Sequence, residues 1–153
     1  MKNNKGFTVV ELLAAFTLTM VIVVFLFEIV LELKNVYVDS SLKTSVISKN
    51  SVVATTLNNY FKRQDISSVS CFSNTCNVGS SNITIGSNDI TIGDQVISMP
   101  TEPKPVEISK PIMENGCVSV SSKYNCYIKV SYSVDSDYLE KEIPFNYIYT
   151  YSG

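Results

Sequence analysis

The sequence predicts an α+β protein, with a long N-terminal helix set against a small antiparallel β-sheet head. Three observations lead there. Between Phe7 and Val78 there is no glycine or proline, so no residue in that run breaks a helix by itself. Its first part, Phe7 to Phe27, is apolar except for Thr8, Glu11, Thr17 and Thr19. Past Val78, glycine and proline punctuate the chain, and Tyr124, Tyr127, Tyr132, Tyr138, Phe145, Tyr147, Tyr149 and Tyr151 crowd toward its end. Aromatic residues of this kind favour strands.

The 153 residues leave room for one domain and an appended element. A formal charge of -2 gives no general attraction to nucleic acid, and no Lys/Arg cluster with interleaved aromatics stands against it. Histidine is absent, which removes the commonest general base and the commonest metal ligand. No glycine-rich phosphate loop or nucleophile motif replaces it. The expectation is a structural or binding protein, not an enzyme, without cofactor or metal.

The apolar segment from Phe7 to Phe27 would span about 31 Å as a helix, close to the thickness of a bilayer core. Lys2 and Lys5 precede it and no acid does, so the N-terminus should stay on the cytoplasmic side and the rest of the chain should face outward. An ordinary secretory signal would need a small-residue cleavage site after the apolar region. Glu28 to Tyr37 instead runs on as large aliphatic and charged residues. An uncleaved membrane anchor fits the length but leaves Glu11 without a reason, because a carboxylate inside an apolar span is costly. If the chain were cut between Gly6 and Phe7, the new α-amino group would be a cation at the i−4 position from Glu11. In an assembly the same amine could meet the glutamate of an adjacent subunit and set the axial stagger between helices.

The run Lys5-Gly6-Phe7-Thr8-Val9-Val10-Glu11-Leu12-Leu13 resembles the processing motif of type IV prepilins and pseudopilins, short basic leader included. That resemblance implies a pilin-like fold and cleavage after Gly6 by a prepilin peptidase. It implies N-methylation of Phe7 by the same enzyme and a role for Glu11 in assembly. The partners implied are other pilin-like subunits, an assembly platform protein and its ATPase. The implied location is the inner, cytoplasmic membrane as a single pass with the head outside, then a surface or periplasmic filament serving DNA uptake, secretion or adhesion. Many major pilins carry a proline 22 residues after the cut; here that residue is Glu28, which points to a pseudopilin or minor pilin. The expected organisation is a leader at 1–6, a transmembrane and assembly helix at 7–30, a stem helix at 31–65 and a head at 66–153. The alternative is an uncleaved, membrane-anchored binding module.

The stem is read from Leu31, Val38, Leu42, Val46, Val53, Leu57 and Tyr60 or Phe61, spaced near three, four and seven. This is an amphipathic stripe, and the helix should continue to about Arg63. Glu28 and Glu32 share a face just past the membrane boundary, in water or near Lys34. In the head, Asn82-Ile83-Thr84-Ile85-Gly86 and Asp89-Ile90-Thr91-Ile92-Gly93 read as a hairpin. Pro100, Pro103, Pro105 and Pro111 read as a stiff loop. From Cys117 the pattern alternates through Val118, Val120, Ile128, Val130, Tyr132 and Val134, and a last strand runs from Ile143 to Tyr151, with Pro144 suggesting a sheet edge.

The four cysteines, Cys71, Cys76, Cys117 and Cys126, all lie in the half placed outside the membrane, where an oxidising compartment lets thiols pair. Three pairings are open. Cys71 with Cys76 and Cys117 with Cys126 close the shortest loops and are the pairing expected. A zinc site from all four lacks the two-residue spacing of zinc knuckles. Asp135 with Asp137, Asp89 with Asp94, and Glu140 with Glu142 are accounted for by turn chemistry and solvation.

Overall fold

The computed structural model describes residues 8–63, 66, 68–120 and 123–152. They form one helix, α1 (Val9–Arg63), followed by eight strands: β1 (Val69–Phe72), β2 (Thr75–Val78), β3 (Ser81–Ile85), β4 (Asp89–Ile92), β5 (Gln95–Ser98), β6 (Glu107–Val120), β7 (Lys123–Asp135) and β8 (Ile143–Ser152). The chain divides into two compact units, Met1–Tyr37 and Val38–Gly153.

The described part of the first unit is helical from Val9 onward. Leu12, Phe16, Phe25, Leu31 and Val36 are all at least half exposed, so these apolar side chains are not covered by the described residues. Thr17 and Thr19 are tolerated there because their hydroxyls donate back to the carbonyls of Ala14 (2.9 Å) and Ala15 (2.7 Å), leaving no unpaired hydroxyl proton.

In the second unit α1 becomes one-sided. Leu42, Val46, Val53, Leu57 and Phe61 are buried, and Val38 and Tyr60 pack against them. The expected stripe is present, but it begins at Val38. Leu31 stays half exposed. Lys62 and Arg63 occupy the last turn, where positive charge suits the carbonyl end of a helix.

Two antiparallel sheets complete the core, one of five strands in the order β1-β2-β3-β4-β5 and one of three in the order β6-β7-β8. The alternation of the isoleucines puts Ile83, Ile85, Ile90, Ile92 and Ile97 inside. In the second sheet Met113, Ile128, Val130, Tyr132 and Val134 do the same. Gly93 turns the chain between β4 and β5 at a φ of +58°, and a Cβ there would lie 3.3 Å from the Tyr60 ring. Both the left-handed backbone and the close ring favour glycine.

The sequence suggested a single sheet, with one hairpin before the prolines and regular strands from Cys117. The hairpin is β3–β4, but β1, β2 and β5 extend it into a full sheet, and β6 starts ten residues earlier, at Glu107. Pro111 lies inside β6. It is accommodated where the β6–β7 register shifts between Ser109 and Ile112 and Lys110 takes a φ of +51°, because a bulge needs no ladder bond from the proline nitrogen.

Asn115 joins the two sheets. Its Oδ1 accepts the Cys71 N–H at 3.1 Å and its Nδ2 donates to the Val69 carbonyl at 3.1 Å, while the Met113 N–H donates to Ser73 O at 2.9 Å. One side-chain amide thus satisfies an edge-strand donor and acceptor that would otherwise go unpaired.

The helix and the second sheet share a polar knot inside the core. Tyr132, only 2% exposed, donates its hydroxyl proton to Asn50 Oδ1 at 2.9 Å. The Tyr147 hydroxyl lies within hydrogen-bond reach of the same oxygen and 3.2 Å from the Asn50 carbonyl. Burial, reinforced by the neighbouring Tyr147, holds the Tyr132 hydroxyl well above the ordinary tyrosine range. Burial likewise raises Tyr147, opposed by its hydrogen bonds to Tyr132 and Asn50.

Two outcomes follow for stability. Asn50→Ala leaves the buried Tyr132 hydroxyl without its acceptor, while Tyr147 keeps the backbone carbonyl at that position, and lowers the unfolding free energy of the head by about 2 kcal/mol in urea titrations. With both folded-state hydroxyls raised, unfolding releases protons above the usual value of 10. Stability is therefore full below about pH 10 and declines above it, by about 1.4 kcal/mol per pH unit for one group. The decline should be shallower in Tyr132→Phe, measured by the same titrations between pH 9 and 11.

Candidate assembly and processing site

The chemistry proposed from sequence gathers at the start of α1. Thr8 is the residue immediately before the helix, and Glu11 lies in its first turn. The Glu11 carboxylate accepts the Thr8 backbone N–H at 2.9 Å and the Thr8 hydroxyl at 2.9 Å, while the Glu11 N–H donates back to Thr8 Oγ1 at 3.3 Å. This is a reciprocal capping box, T-x-x-E, satisfying donors that a helix start otherwise leaves open. The signal is legible as the spacing in Thr8-Val9-Val10-Glu11, which the charge of Glu11 alone does not reveal.

The cap changes the account of Glu11. Reading from sequence gave the acid one partner, the amine created by cleavage between Gly6 and Phe7. Gly6 and Phe7 lie outside the described residues. In the uncut chain the carboxylate already has local donors, so its cost in an apolar setting is reduced before any cut is made. Two hydrogen bonds do not cancel its charge, and an added cation would still find an anion there.

Past Glu11, α1 is long and apolar enough to cross a membrane by length and composition. Glu28 and Glu32 are exposed, and neither forms an ion pair among the described residues. Farther along, Lys43 pairs with Asp39 at 2.6 Å, one helical turn apart. Asp39 is held below its ordinary range, chiefly by that bond, and the Glu140 N–H adds a long contact of 3.4 Å to its other oxygen.

The cysteines form two bridges, Cys71–Cys76 and Cys117–Cys126. Each joins residues directly opposite in an antiparallel pair, β1 with β2 and β6 with β7. The second closes the hairpin whose turn residues Ser121 and Ser122 lie outside the described residues. The acid pairs are scattered: Glu142 binds Lys110 through both oxygens at 2.6 and 2.7 Å, and Asp135 accepts the Ser136 N–H at 2.8 Å. Among the described residues no group of three or more His, Cys, Asp or Glu could hold a metal ion.

Compared with known proteins, residues 1–27 match the family model described as the prokaryotic N-terminal methylation motif. No curated protein and no solved structure matches the chain.

Replacing Thr8 by Val removes both side-chain bonds of the cap and keeps the size of the side chain. Amide exchange at Val10 and Glu11 in detergent micelles is expected to quicken. Thr8→Ser, which keeps the hydroxyl, should exchange at the wild-type rate.

Proposed function

We propose that this chain, which carries the prokaryotic N-terminal methylation motif at residues 1–27, is a pseudopilin or minor pilin, a structural subunit of a type IV pilus-like filament. In this reading a prepilin peptidase removes residues 1–6 and methylates Phe7, and residues 7–30 hold the subunit in the cytoplasmic membrane until it joins the filament. The stem at 31–65 carries the head at 66–153, which faces outward. An assembly platform and its ATPase, and other pilin-like subunits, complete the set of partners. The systems this could serve are DNA uptake, secretion and adhesion.

The observation that carries the reading is a single acid at the head of a helical segment, residues 9–27, whose apolar side chains are exposed all round. Such a surface is stable only against lipid or against other helices. The capped Glu11 supplies one fixed charge within it. An incoming α-amino group from a processed neighbour would pair with that charge, and the pairing favours one stagger over others.

A second reading has one feature in its favour. Thr56, Asn59, Arg63, Asp94 and Gln95, with Tyr60 and Gly93, line an open polar hollow of about 490 Å³ between the end of α1 and the β4–β5 turn. Pockets of that size suit small ligands, as a membrane-anchored binding module would require. Its mark is a leader that is never removed.

Intact mass and the N-terminal peptide, measured after expression with and without a prepilin peptidase, separate the two. The expected product lacks Met1 to Gly6 and bears one methyl group on Phe7. Glu11→Val is expected to be cut and methylated normally and to be lost from assembled filaments. Normal incorporation of that variant would remove the assembly role from Glu11.

A further inference from the structure

We propose that the free edge of β8 in one copy pairs, as antiparallel strands, with the free edge of β5 in a second copy, so that neighbouring heads share a continuous β layer. The proposal rests on the filament reading above and names the contact between heads.

Asn115 closes the seam between β1 and β6, which leaves β5 and β8 as the outer strands of the two sheets. Native proteins protect an exposed strand edge with charge, proline, a bulge or a cover. β8 is ten residues long, and from Phe145 to Ser152 it carries no charged residue and no proline. Its register with β7 runs without a shift. Pro144 shows which groups are free. It has no N–H to give the ladder, so its nitrogen faces away from β7. By alternation the N–H and C=O groups of Asn146, Ile148, Thr150 and Ser152 point the same way. Outside the β7–β8 ladder, no backbone hydrogen bond among the described residues reaches them.

β5 is the counterpart, and Gln95-Val96-Ile97-Ser98 is also uncharged. The Met99 N–H donates to Asn88 O at 2.8 Å, so Met99 and Ile97 turn their backbone groups toward β4. Those of Val96 and Ser98 therefore face outward.

Direction selects the pairing. β8 runs with α1, since Tyr147 reaches Asn50 and Tyr149 stacks on Phe61. β5 runs against it. Gln95 lies with Asn59 and Arg63 around the hollow at the end of α1. At the far end of β5, Asn88 accepts Met99, and Ser87 beside it accepts the Ile108 N–H at 2.6 Å. Ile108 lies opposite Val134, which lies opposite Ile143, the first residue of β8. β5 thus ends level with the start of β8. In copies whose stems point the same way, which the filament reading requires, β8 meets another β8 parallel but meets β5 antiparallel. The antiparallel pairing is the more stable. It joins two different edges, so it repeats from copy to copy instead of closing as a two-fold pair.

The side chains choose the register. Val96 and Ile148 are 61% and 67% exposed. Both lie on the face of their sheet away from the core, since their neighbours Ile97, Tyr147 and Tyr149 pack into it or against it. With Val96 opposite Ile148, Ser98 falls opposite Asn146. These residues then turn their free backbone groups toward each other, and two exposed apolar side chains become a cross-strand pair. No charge on either strand opposes the approach.

The test uses the full chain, expressed with its peptidase and assembly machinery as two differently tagged copies, one Val96→Cys and the other Ile148→Cys. Mild oxidation of assembled filaments is expected to join the two tags through a disulfide between positions 96 and 148, identified by peptide mass, with both native bridges unchanged. Val118→Cys, at an exposed position on β6, should form no such link with Ile148→Cys. Val96→Glu and Ile148→Lys should each be cleaved and methylated like the wild type. Each should reduce the assembled fraction about tenfold, the change that about 1.4 kcal/mol at the contact produces. Combined in one chain they set opposite charges across the ladder and should restore most of the assembled fraction, which a folding defect would not do. Filaments that assemble without the link between 96 and 148, or a double variant no better than either single one, overturn the contact and leave the subunit reading standing. A wild-type chain that is processed by no peptidase removes that reading and the contact with it.

Discussion

Everything in this protein depends on one unbroken helix that shows two different surfaces. Hydrogen bonding along α1 is continuous from Val9 to Arg63 because no glycine or proline interrupts it. What changes is the side chains. Up to Phe27 they are almost all apolar and exposed on every face, and from Val38 a single stripe is apolar and buried. The first surface demands lipid or other helices, and the second demands a folded head. The same chain of backbone bonds therefore joins an element long and apolar enough to cross a membrane to one that packs on a folded head.

That division explains why the helix was read so directly from the sequence while the head was read only in part. The period of Leu42, Val46, Val53, Leu57 and Phe61 is a local signal, and burial follows from it. Leu31 fits the same period yet stays exposed, because a period identifies a face and does not say where a partner begins. In the head, Ile83, Ile85, Ile90 and Ile92 announced a hairpin through strict alternation. β1 and β5 gave no such signal: Val69-Ser70-Cys71-Phe72 and Gln95-Val96-Ile97-Ser98 are only four residues long, with one and two polar side chains, and their strand state comes from the neighbours they pair with. Pro111 argued for a loop and lies in a strand, since a bulge removed the requirement its nitrogen could not meet.

The candidate site was legible in a different sense. Glu11 drew notice because its charge is out of place, and charge out of place is visible without a fold. Its partner Thr8 was equally visible as a spacing, yet the capping box changes the meaning of the acid. A carboxylate that accepts two local hydrogen bonds in the uncut chain is partly satisfied before assembly. It needs no amine to be tolerated, so an amine from a neighbour would act on register more than on solubility. Asn50, by contrast, was unreadable. Nothing in Ser48-Lys49-Asn50-Ser51 distinguishes the asparagine that receives two buried tyrosine hydroxyls, because that role depends on Tyr132 and Tyr147, more than eighty residues away.

The disulfides and the Asn115 bridge follow from the same division of labour. A head that packs only part of one helix against two small sheets has a modest core, and the two covalent links each tie an antiparallel strand pair, β1 with β2 and β6 with β7. Stiffness in the head matters more than total stability if heads touch one another. Between copies that the assembly reading holds side by side by their apolar stems, any contact between heads acts at a high effective concentration, and a weak one then suffices to choose among neighbouring arrangements. Under the assembly reading the stem supplies proximity and the head supplies discrimination, so the stem's surface can stay nearly featureless while the head carries the bridges, the bulge and the fixed turn.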